Sequence, residues 1–89
     1  MDWNIIEVVD EHGWVLVTNN AVEFRSKYRA IEIHPGVIFL LPSVPRDQQL
    51  LLFEAALDEV AINPDLINQA LDVQFSQDAK IIVRRYALP

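Results

Sequence analysis

Short apolar runs alternate with polar breaks along this chain, and the spacing inside each run predicts its element. Over residues 2–12, Trp3, Ile6 and Val9, with Ile5 and Val8 beside them, recur at three- and four-residue intervals. With Asp2 as cap, that spacing predicts a helix ending near His12 and Gly13. Trp14 to Val17 is continuously apolar and rich in β-branched residues, as a strand covered on both faces would be. The polar cluster Thr18-Asn19-Asn20 follows, and Asn20 with Glu23 three residues later has the spacing of a capping box. The helix it opens presents Ala21, Phe24, Tyr28 and Ile31 on one face.

His34-Pro35-Gly36 breaks this helix, and Val37 to Leu41 reads as a second fully apolar strand. Strand, helix and strand within so short a span form a βαβ unit, which predicts parallel strands joined by a right-handed crossover. Pro42 and Pro45 bracket a tight loop before the longest predicted helix, Arg46 to Ala61. Its expected inner face carries Leu50, Phe53, Leu57 and Val60, with Leu52 and Ala56 alongside. Asn63 then caps a short helix with Pro64 at its first position, running to about Ala70. Leu71 to Phe75 and Lys80 to Leu88, separated by Ser76-Gln77-Asp78-Ala79, predict a carboxyl-terminal antiparallel hairpin. The fold class is therefore α/β: a short parallel sheet with flanking helices, plus a C-terminal β-hairpin, in one domain over residues 1–89.

Composition adds an association argument. At 89 residues and 52% hydrophobic, the chain is too small to hide all its apolar surface, so a homo-oligomer or a protein partner is expected. The exposed hairpin edge is one place for another subunit to pair. A net charge of -6 argues against a general nucleic-acid coat, whose affinity comes from neutralising phosphates, without excluding local action on RNA. No cysteine is present, so neither a disulfide framework nor a thiolate metal site supports the fold. No run reaches the roughly 20 apolar residues that span a bilayer, so no membrane association is expected and the default address is cytoplasmic.

The stretch Val17-Thr18-Asn19-Asn20-Ala21-Val22-Glu23-Phe24, followed by Pro35-Gly36-Val37-Ile38-Phe39-Leu40, resembles the second half of PIN-like proteins, relatives of the VapC-type ribonucleases of toxin-antitoxin modules. The likeness is nearest to small uncharacterised bacterial PIN-like proteins and covers roughly residues 2 to 60. It implies Mg²⁺- or Mn²⁺-dependent RNA cleavage, in which acidic side chains at the strand ends hold the metal and the metal generates the attacking hydroxide. Carried over, Asp2 and Glu23 are the metal ligands and Asn20 orients a metal-bound water, with Thr18 in support; Arg25 and Arg29, one turn apart beside that expected site, are placed to meet RNA phosphates. Relative to the family the chain lacks an amino-terminal strand and helix with a further acid, so the implied acidic cluster is incomplete.

Plainer readings stand beside these. Glu23 can close the capping box and pair with Lys27, Asp2 can be an ordinary helix cap, and Arg25 and Arg29 can form a solvated face. Arg84 and Arg85 are a second basic pair, suited either to phosphates or to keeping a strand edge unpaired. Trp3 and Trp14 lie in apolar runs that fit core or interface anchors. The rival to a nuclease is a non-catalytic protein-interaction module or an oligomeric structural domain.

Overall fold

A computed structural model of the chain describes residues 5–10, 13–41 and 45–88. Among the described residues five strands and two helices follow in the order β1 (Ile5–Asp10), β2 (Gly13–Thr18), α1 (Ala21–Arg29), β3 (Val37–Leu41), α2 (Arg46–Ile62), β4 (Gln69–Phe75) and β5 (Ile81–Ala87). The strands form one sheet in chain order, with β2, β3 and β4 parallel and an antiparallel strand on each edge. No helix among the described residues is long and apolar enough to cross a membrane.

β3 is the centre of the protein. Val37, Ile38, Phe39 and Leu40 are all buried, because the two faces of the strand feed two separate cores. Val15, Val17, Ile38, Leu40, Leu71 and Val73 pack with Leu52 and Ala56 of α2, and Leu66 completes that cluster. Leu16, Val37, Phe39 and Ala70 pack on the other face with Ala21 of α1 and with Leu88, joined by Phe24 and Tyr28. The continuous apolar runs at β2 and β3 follow directly from this two-sided burial.

Both crossovers step the same way along the sheet, and yet α1 and α2 lie on opposite faces. Two right-handed crossovers would have put both helices on one face. The β2–α1–β3 and β3–α2–β4 units therefore have opposite hands, and one of them is the rarely used left-handed form.

Three expectations are corrected. Residues 5–10 form a strand, paired with β2 from Ile5 opposite Thr18 to Asp10 opposite Gly13. Four of these six residues, Ile5, Ile6, Val8 and Val9, are β-branched and lose χ1 freedom in a helix, while β2 offers an unpaired edge. Residues 2–4 and 11–12 of the predicted helix lie outside the described residues.

No helix forms over 63–70 either. Asn63 precedes Pro64, which pushes its backbone out of the helical region, and α2 stops at Ile62. The following chain is held by Asp65 Oδ1 accepting from the Ile67 amide at 3.1 Å and by fully buried Leu66.

On α2 the inner stripe is Gln49, Leu52 and Ala56, with Phe53 and Val60 partly buried beside it. Leu50 and Leu57, expected inside, are 53% and 36% exposed. Three successive leucines at 50–52 allow two helical stripes, and packing against β3, β4 and β5 selects the one through Leu52.

A polar knot fixes the strand ends. His34 is buried; its Nε2–H donates to the Leu88 carbonyl, and its Nδ1 accepts from the Gly36 amide at 3.1 Å. These partners fix the neutral tautomer. Asn68, in a left-handed backbone conformation at φ 56°, accepts from the His34 amide at 2.9 Å and receives the Leu88 amide on its carbonyl at 2.9 Å. The entrance to β3, the start of β4 and the segment after β5 are thereby tied together.

Candidate functional site

The polar turn after β2 folds as its capping residues dictate. Thr18 is buried and its Oγ1 accepts from the Asn20 amide at 3.0 Å. Asn20 Oδ1 accepts from the Glu23 amide at 3.4 Å and its Nδ2 donates to Glu23 Oε2 at 2.7 Å, so the two side chains close the cap on each other, while the Asn20 amide that a capping box would give to Glu23 goes to Thr18. Lys27 Nζ donates to Glu23 Oε1 at 2.8 Å, so both carboxylate oxygens are engaged. The hydrogen bond from Lys27 and its charge hold Glu23 below the ordinary carboxylate range, assisted by Asn20. Thr18, Asn20 and Glu23 thus meet at the carboxyl end of β2, and Asp2 lies outside the described residues. Among the described residues no three acidic or histidine side chains gather into a metal-holding group.

Arg25 and Arg29 leave this turn altogether. They lie on the flank of α1 facing β4 and β5, where α1 does not cover the sheet. Arg25 Nη2 donates to Asp72 Oδ1 and Oδ2 at 3.2 and 3.3 Å, and its Nε donates to the Tyr86 hydroxyl at 3.0 Å. Tyr86 completes the triangle by donating to Asp72 Oδ1 at 2.8 Å. The Arg25 guanidinium also lies 4.9 Å over the Phe39 ring.

The triangle shifts the titration of Tyr86 and Arg25. Burial pushes the Tyr86 phenol up, its bond to the Asp72 carboxylate adds to that, and Arg25 opposes it. Burial works against the charged form of Arg25 but is outweighed by its bonds to Tyr86 and Asp72, so the guanidinium is held more firmly protonated than usual.

Around this triangle lies an open cleft of about 620 Å³, lined by Arg25, Arg29, Leu41, Asp72, Arg84, Tyr86, Ala87 and Leu88. Its floor is the unhelixed half of the sheet. Arg84 stands opposite Asp72 in the β4–β5 register and stacks its guanidinium 4.8 Å over the Tyr86 ring. Among the described residues neither Arg29 nor Arg84 has a carboxylate partner. Three guanidiniums therefore face one carboxylate in a chain whose net charge is -6.

Arg84 and Arg85, adjacent in sequence, have opposite fates because strand side chains alternate. Arg85 turns to the α2 face and binds Glu59 Oε2 at 2.8 Å, the Asn63 carbonyl at 2.8 Å and the Asp65 carbonyl at 2.9 Å. It clamps the end of α2 to β5. Trp14 is 58% exposed, which removes it from the core.

Asp72 and Tyr86 were missed by sequence reasoning. One signal was available: a lone carboxylate inside the apolar run Ala70-Leu71-Asp72-Val73. A charge in the middle of a buried strand needs a partner. Comparison with protein-family models, with curated proteins and with solved structures returns no match.

Proposed function

We propose that this chain is a non-catalytic protein-interaction module whose arginine-lined cleft receives an acidic, amphipathic segment. The observation that carries this reading is the pair Arg29 and Arg84, which face the cleft with no carboxylate partner among the described residues. Guanidiniums bind carboxylates through paired hydrogen bonds, and Arg and Tyr are the residue types that dominate interface energetics. The Asp72–Tyr86 pair holds Arg25 in place and Arg84 stacks on the Tyr86 ring, so these two guanidiniums lose little side-chain entropy on binding. Half-buried Leu41 supplies an apolar margin that favours an amphipathic segment over a purely polar one.

The rival proposal follows from the PIN-like resemblance: Mg²⁺- or Mn²⁺-dependent RNA cleavage using Asp2, Asn20 and Glu23, with Arg25 and Arg29 on the phosphates. What supports it is the shared polarity of the cleft, since arginines attract phosphates as well as carboxylates.

Fluorescence anisotropy separates the two. A labelled helical peptide with Glu at i,i+4 and Leu at flanking positions is expected to bind, to lose at least tenfold in affinity in Arg29→Ala/Arg84→Ala, and to be unaffected by Glu23→Gln. Binding of single-stranded RNA in place of the peptide, with Mn²⁺-dependent cleavage lost in Asp2→Ala and Glu23→Ala, replaces the interaction reading with the nuclease one.

A further inference from the structure

The outer surface of α2 is chemically the counterpart of the cleft. With Leu52 and Ala56 turned inward, the opposite side of the helix carries Asp47, Glu54 and Asp58 in a row. All three are exposed, and at about 1.5 Å of rise per residue Glu54 and Asp58 stand roughly 6 Å apart. Leu50, Leu51 and Ile62 flank that row and are 53%, 49% and 75% exposed. A carboxylate ridge edged by leucines is thus displayed on one face of the sheet. Facing the other way, the β4–β5 half of the sheet is a basic cleft edged by Leu41, with no helix of the described residues over it. A mostly parallel sheet is ordinarily covered by helices on both faces, so this half lacks one helix.

We propose that the missing cover is α2 of a second copy of this chain. Glu54 and Asp58 of one copy meet Arg29 and Arg84 of the next, and the apolar flank of Leu50, Leu51 and Ile62 lies against Leu41. This rests on the reading of the cleft as a site for acidic amphipathic segments and names the segment.

The geometry fixes the kind of assembly. Cleft and ridge are on opposite faces of one sheet, so two copies cannot exchange both contacts with each other. The contact is head-to-tail, and it propagates beyond a dimer unless a ring closes.

Sedimentation over a range of protein and salt concentrations tests this. The mass is expected to rise past two copies with concentration at low salt, and to return to 10.2 kDa as salt is raised and the ion pairs are screened. Arg29→Ala/Arg84→Ala destroys only the cleft, and Glu54→Gln/Asp58→Asn destroys only the ridge. Each variant alone is expected to be monomeric with an unchanged circular dichroism spectrum. An equimolar mixture retains one working contact and is expected to stop at a one-to-one pair. A wild-type chain that stays monomeric, that stops at a dimer, or whose association ignores these substitutions overturns the inference. If the acidic helical peptide still binds the cleft of such a chain, the interaction reading survives and only its occupant is wrong.

Discussion

Gly36→Ala is expected to be severely destabilising, and the chain contains its own control. Gly36 has φ +122°, a conformation that costs a residue with a Cβ about 1 to 3 kcal/mol. A Cβ built there comes within 2.5 Å of Leu66 Cβ and 2.9 Å of the Leu66 carbonyl oxygen. Both are close to the backbone of a residue with no exposed surface, so no flexible side-chain end is available to yield. Overpacking of this kind costs a further 1 to 3 kcal/mol or so. Gly13 has nearly the same φ, +127°, but among the described residues its nearest obstacle is Pro35 Cβ at 3.9 Å, an ordinary contact. Gly13→Ala therefore isolates the backbone term, and the difference between the two variants measures the close approach alone. That difference is about 2 kcal/mol, or roughly 8 to 16 °C in Tm for a domain of this size. Thermal and urea unfolding followed by far-ultraviolet circular dichroism read it directly. Equal losses in the two variants would refute the account of Leu66 as an unyielding neighbour.

Four further outcomes are expected. In a Tyr28→Phe background, absorbance at 295 nm reports Tyr86 alone; its phenol should ionise above the ordinary range, and Asp72→Asn should bring it down. Because the folded value is raised, the corresponding stability is complete below about pH 10 and is lost as pH climbs through the folded value; a gain of stability there would contradict the network. Arg85→Met removes the clamp between α2 and β5 and leaves Glu59 without it, at a cost of about 1 to 3 kcal/mol in urea unfolding once its partial exposure is allowed for. Lys27→Ala, which removes the exposed pair with Glu23 and the ammonium 5.1 Å over the Phe24 ring, should change unfolding far less than Arg85→Met, and a comparable loss would show that solvent does not screen these contacts. His34→Ala removes the ring's bonds to the Leu88 carbonyl and the Gly36 amide and keeps the main-chain bonds to Asn68, so amide hydrogen exchange should rise first at Gly36; unchanged protection there means the ring is redundant.

How far the sequence disclosed this molecule depended on the range of the interactions. β3 was legible because strand and burial coincide in five unbroken apolar residues, and the start of α1 was legible because Asn20 and Glu23 are three residues apart. Over Ile5–Asp10 the apolar positions fit a helical period as well as a strand, and the pairing with β2 decides between them. The stripe of α2 needed knowledge of which neighbours it would meet. The site was least legible of all. Arg25 is separated from Asp72 by 47 positions and from Tyr86 by 61, so its pairing depends on the order of the strands and the face that α1 takes. The pair of arginines was visible in the sequence; the carboxylate and phenol that hold one of them were not.

The placing of α1 and α2 on opposite sides of the sheet bears on how the molecule fails as well as on how it binds. Each helix owns a core that the other does not touch, and the strands wall the two apart. Losses from cavities on one side should add to losses on the other, because side chains in different clusters share no packing neighbour except through the backbone of the strands. Deletions inside one cluster should couple. The thinner layer, nine residues of α1 over Leu16, Val37 and Phe39, can then loosen while α2 stays seated on Ile38, Leu40 and Leu71. A sheet that divides its interior in this way has two thresholds for opening, and the lower one lies beside the arginine cleft.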